Sequence, residues 1–166
     1  YSLLGNSETS FNTYVQRVTL KKLLNLANVH LFKLNKRYSL YMSPEIVAKN
    51  DLEFSMIDHY HSNQVRPIDT ACGGEEFLIS LALALGLADL TSKNISIDSL
   101  FIDEGFGTLD PDALESAMYT LETLQAGGKL IGVISHVENL KERIPTQIQV
   151  TKKGNGVSTV AIVNRE

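Results

Sequence analysis

The stretch from Ser99 to Ile134 constrains the fold most. An apolar run at Ser99–Ile102 is followed by Asp110-Pro111, a cap and first-turn proline that open a helix, and Gly127-Gly128 closes that helix. A second apolar run at Leu130–Ile134 follows directly. Two short apolar strands joined through a helix rather than a hairpin turn are parallel, with a right-handed crossover between them. The class is therefore α/β. Ahead of this unit, Glu75–Leu90 is apolar nearly all round, with Phe77, Leu81 and Leu85 beside Ala82, Ala84, Gly86 and Ala88. Such a helix belongs between layers.

The remaining segments add antiparallel elements. Tyr1–Ser10 is polar and irregular and reads as a tether. From Thr19, a candidate cap, Leu20, Leu23, Leu24, Ala27, Leu31, Leu34 and Tyr38 follow helical spacing, with Lys33, Lys36 and Arg37 near the negative end. Tyr38–Met42 and Leu52–Ile57 alternate and read as short antiparallel strands. Asp58–Asp69, which holds His59, His61 and Pro67, reads as loop. Val137–Arg143 reads as a short helix, and Gln147–Val150 with Val157–Val163 as a hairpin around Lys153-Gly154-Asn155-Gly156.

At 166 residues the chain suits one domain. We divide it into a tether and start at 1–18, a helix with antiparallel strands at 19–70, and a motif-bearing α/β part at 71–166. Cys72 is the sole cysteine, which excludes an internal disulfide and a cysteine zinc cluster and fits a reducing compartment. No apolar run reaches the roughly 18 residues of a membrane helix. No basic-then-apolar leader stands at Tyr1, and without an initiator Met the chain reads as a piece of a longer polypeptide. Charge is uneven: residues 1–50 carry seven Lys or Arg against Glu8 and Glu45, whereas residues 51–166 are strongly acidic. That asymmetry can mark a surface for a polyanion, but more often it is ordinary solvated surface.

Four features carry chemistry. The strand Ser99–Ile102 runs into Asp103-Glu104, which puts two carboxylates at the carboxyl edge of a parallel sheet, where α/β folds bind ligands. One acid there suits hydrated Mg²⁺ and the other suits polarising a water for attack on phosphate; strands also end in acids without function. Cys72-Gly73-Gly74-Glu75 stands at a helix start, either as an anion-binding loop or as a plain junction. Gly105–Asp110 is a glycine-flexed turn whose Asp110 serves as a helix cap. His136, past the strand end at Ser135, shares the sheet edge of the two acids and can reach a terminal phosphate. His59 and His61 form a weaker metal pair or simply loop surface.

Taken in order, these features resemble the carboxy-terminal lobe of an ABC-type ATPase head, and specifically the SbcC-type subunit of the bacterial SbcCD nuclease complex. Ala71–Glu75 resembles the signature loop and Leu100–Glu104 the Walker B strand. Gly105–Asp110 resembles the D-loop, and Gly132–His136 the switch-histidine strand. The similarity extends over the helix from Thr19 to Tyr38. It implies ATP and Mg²⁺ as cofactors, with Asp103 holding the metal through water. It further implies Glu104 as the base that positions the attacking water, and His136 on the terminal phosphate. Cys72, Gly73, Gly74 and Glu75 would reach ATP bound in an opposite head, and Asp110 would couple the two sites.

The implied partners are the chain's own amino-terminal lobe, a second SbcC-like head, an SbcD-type nuclease and double-stranded DNA, in the cytoplasm and without a membrane. Two departures stand out. Ala71-Cys72 replaces the usual Leu-Ser, and a thiol is a weaker donor than a hydroxyl. No Gly-x-x-x-x-Gly-Lys-Ser/Thr occurs, because Gly127-Gly128-Lys129 has the wrong spacing. On the family pattern the chain is half of a head, inactive alone. The alternatives are a nucleotide-binding subunit of an ABC transporter and a non-catalytic lobe that dimerises or binds DNA.

Overall fold

The computed structural model describes residues 8–43, 52–91 and 98–164. Helix α1 (Glu8–Leu34) leads into a three-stranded antiparallel sheet of β1 (Tyr38–Tyr41), β2 (Ser55–Asp58) and β3 (Gln64–Pro67). A 3-10 turn at Ile68–Thr70 then delivers the chain to helix α2 (Gly73–Thr91). Strand β4 (Ser99–Asp103) crosses through α3 (Pro111–Ala126) to β5 (Leu130–Ile134), paired parallel from Ser99↔Leu130 to Asp103↔Ile134. Short α4 (Glu138–Arg143) and the hairpin β6 (Thr146–Lys152) and β7 (Ser158–Asn164) complete the chain.

The core lies between the helices. Leu24, Ala27, Leu31 and Leu34 of α1 are buried with Leu78, Leu81, Ala82 and Leu85 of α2. Their axes approach closely at Gly86, where an added Cβ would sit 2.7 Å from the Ala27 amide nitrogen, so only glycine fits. Helix α3 begins as its sequence dictates: the Asp110 side chain accepts from the Ala113 amide at 2.9 Å, with Pro111 in the first turn.

Two expectations need correction. Helix α1 starts by Glu8 rather than at Thr19 and ends at Leu34, before Tyr38, which opens β1. Thr19 is not a cap; its hydroxyl donates to the Val15 carbonyl one turn back, at 2.9 Å. The buried stripe read from the sequence begins only near Leu20, whereas Phe11, Tyr14, Val15 and Val18 form a second helical stripe that stays exposed. Of the tether expected at Tyr1–Ser10, residues 8–10 belong to α1 and residues 1–7 lie outside the described residues. The polar stretch 58–69 is likewise not all loop, since β3 pairs antiparallel with β2. Ser62 and Asn63 take left-handed backbone angles (φ of 52° and 57°) that turn the chain, and the Gln64 amide closes the turn on the His61 carbonyl. Pro67 is tolerated because β3 is the edge strand.

One face of the β4–β5 pair packs on the core through Leu100, Ile102, Ile131 and Val133. The other face carries Phe101, Leu130 and Ile134, which are 71%, 64% and 59% exposed. The hairpin is similarly bare, with Ile148, Val150, Val160 and Ile162 on one exposed face. No helix among the described residues is long and apolar enough to cross a membrane.

Candidate functional site

The site is built at the carboxyl ends of β4 and β5. Asp103 is the last residue of β4 and is exposed. Glu104 follows with φ of +59°, a left-handed conformation that costs a non-glycine residue energy and turns its side chain out of the strand alternation. The Glu104 amide donates to the Ile134 carbonyl at 2.9 Å, which locks the bend onto the end of β5. Two residues on, His136 places Nδ1 3.0 Å from Glu104 Oε2, with the two side chains 80% and 51% exposed. The two form an ion pair when His136 is protonated, and the other ring nitrogen, Nε2, points elsewhere. It points toward the following turn, since a Cβ on Gly107 would lie 4.0 Å from Nε2.

That turn, Phe106–Thr108, hangs on Gly105 at φ of +92°. Phe106 is buried and meets the Phe77 ring edge-on at 4.8 Å between centroids. Any side chain at Gly105 would strike Phe77. The same turn supports the start of α2, because a Cβ on Gly74 would come within 2.9 Å of the Thr108 carbonyl oxygen, and one on Gly73 within 3.4 Å of the Thr108 methyl. Gly74 is thus required by packing, whereas a Cβ on Gly73 would make only ordinary contact, and both lie in a helix first turn with open amides.

Cys72 is the exposed residue just ahead of α2, and its carbonyl accepts the first intrahelical bond, from Glu76. Glu75 turns back rather than outward. Its Oε2 accepts from the Cys72 amide at 2.9 Å and its Oε1 from Arg66 Nη2 at 3.0 Å, and the Tyr38 hydroxyl also favours its charged form. Burial pushes the Glu75 carboxyl up, but these three donors outweigh it and hold it below the usual range. Asp110 is exposed and is occupied on one oxygen as the α3 cap.

The structure therefore brings Glu104 to His136, and Cys72–Glu75 to Gly105–Thr108. Sequence reading missed Arg66, Tyr38 and Phe77. The spacing Cys72-x-x-Glu75 is that of a capping box and was the available signal for the inward turn of Glu75. His59 and His61 are taken up locally, by Asn63 and Ser39 and by Asp58 and Arg37 respectively. Among the described residues no group of three or more His, Cys, Asp or Glu forms a metal cluster.

Residues 48–123 match the family described as SbcC/RAD50-like, Walker B motif. The SbcC component of the SbcCD nuclease from Pseudomonas aeruginosa is 43% identical over 162 residues, 97% of this chain. The chain belongs to the SbcC/RAD50-like family. The SbcC proteins of Rhodobacter capsulatus and Staphylococcus saprophyticus are 43% and 44% identical over 95% and 90% of the chain. This SbcC-type chain spans only 12–15% of the length of these three relatives. Solved SMC heads share its fold. An SMC ATPase from work on ATP-driven dimerization and DNA-stimulated activation superposes with a TM-score of 0.67 at 17% identity, covering 92% of this chain and 89% of the other. The SMC head domain of Thermotoga maritima gives 0.58 at 23% identity, covering 88% and 48%. The SbcC-type chain thus shares the mixed α/β fold of these SMC heads, the fold class expected from its sequence.

Cys72 offers a direct check on the signature loop expected from the sequence. Cys72→Ser places a hydroxyl at an exposed position whose backbone amide donates to Glu75. In the complete protein it is expected to keep or raise ATP turnover, measured by phosphate release. A severe loss would show that the loop is misassigned.

Proposed function

We propose that the chain is the carboxy-terminal lobe of a split ATPase head that hydrolyses ATP in a DNA-end-processing nuclease complex. The observation that supports it best is the meeting of Glu104, bent into a left-handed conformation, with His136 at the sheet edge beside Asp103. In this reading Glu104 positions and deprotonates the attacking water. His136 steadies Glu104 through Nδ1 and approaches the terminal phosphate through Nε2, a bond that needs the imidazolium form because Nε2 must then donate. Cys72, Gly73 and Gly74 face ATP held by a second head, where the first-turn amides of α2 favour an anion. Asp110, the α3 cap just after the Gly105–Thr108 turn, couples the two sites.

The donor set fits Mg²⁺. Asp103 is an exposed hard-oxygen donor, and this ion is commonly held by one or two carboxylates together with water and substrate phosphates, so the missing three-residue cluster is no obstacle. Asp103 would hold it through water, and its chemistry when bound is to neutralise charge on the phosphates. Turnover of ATP by the complete polypeptide, with and without Mg²⁺, tests the proposal; a magnesium-independent or absent activity would sink it.

The proposed partners are an amino-terminal lobe bearing the phosphate loop, a second head, a partner nuclease and double-stranded DNA, in the cytoplasm. Parallel strands are normally covered on both faces, and the bare Phe101–Leu130–Ile134 face supports a covering lobe. The relatives named above are SbcC proteins and the neighbours SMC heads, so the transporter reading is dropped. The paired Glu104 and His136 favour catalysis over an idle dimerisation lobe.

For DNA, the basic residues of the first fifty sort into two groups. Arg37 grips Asp58 with two bonds of 2.9 and 2.7 Å, which hold the Asp58 carboxyl well below its ordinary range, and Arg17 donates to the Ser43 carbonyl. Lys21, Lys22, Lys33 and Lys36 are exposed. Replacing these four by Gln in the complete protein is expected to weaken non-specific duplex binding and to flatten its dependence on log salt by about one unit per phosphate-contacting lysine. An unchanged salt slope in a binding titration would remove these four lysines from the DNA surface.

A further inference from the structure

We infer that Arg66 and Tyr38 are positioning residues of the ATPase reaction, acting through Glu75 to set the Cys72–Gly74 loop against the nucleotide of the opposite head. The inference rests on the reading proposed above and adds to it a device on the antiparallel sheet.

Its basis is the route by which the loop is anchored. Glu75 is only 12% exposed in its side chain and holds the Cys72 amide with one carboxylate oxygen. The other oxygen takes the Arg66 guanidinium of β3. Tyr38 is buried at the start of β1, and its phenol is pushed above its ordinary range first by burial and then by Glu75, so it remains a donor toward that carboxylate. Arg66 Nη2 also lies 3.5 Å from the sulfur of fully buried Met56 on β2. Strand β3 thus reaches the acid directly through Arg66, β2 backs that guanidinium through Met56, and the acid holds the loop. Arg66 and Glu75 side chains are 27% and 12% exposed, so screening by water is weak and loss of one partner is costly.

Two consequences follow for catalysis. While Arg66 is in place, the Glu75 charge is neutralised and directed away from the loop mouth, so no carboxylate opposes an incoming triphosphate. Without Arg66, a nearly buried carboxylate retains only two neutral donors and gains by turning out to water, which releases the Cys72 amide and places a negative charge where phosphate must dock. The groups at the ends of β4 and β5 stand on other elements. Binding of ATP within one head should therefore survive, while engagement of the second head fails.

The experiment uses the complete polypeptide and the variants Arg66→Met, Arg66→Lys, Tyr38→Phe, Glu75→Gln and the double variant Arg66→Met/Glu75→Gln. Three readings are taken: affinity of dilute single heads for a fluorescent ATP analogue, ATP-dependent dimer mass, and kcat for phosphate release. Arg66→Met is expected to lower kcat and weaken the dimer by about tenfold to a hundredfold, as for a misplaced catalytic element, with single-head affinity within about twofold. Arg66→Lys should recover part of the loss, and Tyr38→Phe should show a smaller loss of the same kind. The double variant should be no worse than Arg66→Met, because both changes break one contact chain.

Wild-type dimerisation and turnover in both Arg66→Met and Tyr38→Phe would overturn the inference. So would single-head affinity and melting temperature that fall in step with kcat and that Arg66→Lys does not rescue. If Arg66→Met fails to fold, Tyr38→Phe and Arg66→Lys decide by the same split between affinity and dimer. A wild-type protein that does not hydrolyse ATP would instead defeat the proposed function; an active wild type with silent variants defeats this inference alone.

Discussion

Replacing Glu104 by Gln is expected to stop ATP turnover while leaving ATP bound, so that two heads stay joined as a stable dimer. The change keeps the size of the side chain and removes only its capacity to take a proton. The left-handed backbone at position 104 is set by the bond from its amide to the Ile134 carbonyl, which no side-chain change disturbs. A side-chain amide also still offers His136 an oxygen acceptor, so the geometry of the pair survives. What is lost is general-base catalysis, worth about 10²- to 10⁴-fold in rate. Asp103→Asn acts differently. It weakens the oxygen donor proposed for the metal, so binding and turnover should both fall. Phosphate release measured beside ATP-dependent dimer mass separates the two. Near-normal turnover in the Glu104→Gln protein would remove Glu104 from the catalytic role.

The parts of the fold legible in the sequence are those whose signals are local. Asp110-Pro111 and Gly127-Gly128 mark α3 at both ends, and the apolar runs beside it fix β4 and β5 as parallel. The stripe from Leu20 to Leu34 gives the buried face of α1 because α2 packs against it within the same chain. The first turns of α1 escaped because Phe11, Tyr14, Val15 and Val18 have no counterpart in this core. β3 escaped because it is short, polar and at an edge, and its evidence lies in the left-handed pair Ser62-Asn63 rather than in alternation.

The candidate site divides along the same line. Asp103, Glu104 and His136 are legible as motif residues, but the contact of Glu104 with His136 depends on register, since Asp103 pairs with Ile134 and so brings the two strand ends level. The direction of Glu75 was hidden for another reason. Its capping partner is a backbone amide at a cysteine, not the usual Ser or Thr, and its counter-ion Arg66 sits in a stretch that reads as loop.

The bare 166-residue chain is expected to show no magnesium-dependent ATPase activity, and addition of the amino-terminal lobe, fused or as a second polypeptide, is expected to restore it. Affinity for ATP depends on backbone amides that cradle the phosphates, and no Gly-x-x-x-x-Gly-Lys-Ser/Thr lies in these residues. The surfaces say the same of packing. Phe101, Leu130 and Ile134 leave one side of a parallel pair open, and Ile148, Val150, Val160 and Ile162 leave the hairpin open. Covering a large apolar side chain is worth roughly 1.5–3 kcal/mol, so seven such residues supply a strong drive for a second lobe to dock. Docking should therefore register before chemistry does: fluorescence of a dye bound to the bare apolar faces should fall as the amino-terminal lobe is titrated in, and phosphate release should rise over the same range. With Glu104→Gln in the added complex, dye displacement should persist while turnover vanishes, which separates assembly from catalysis. Substantial ATP hydrolysis by the bare chain, or docking that leaves the dye in place, would overturn the half-head reading.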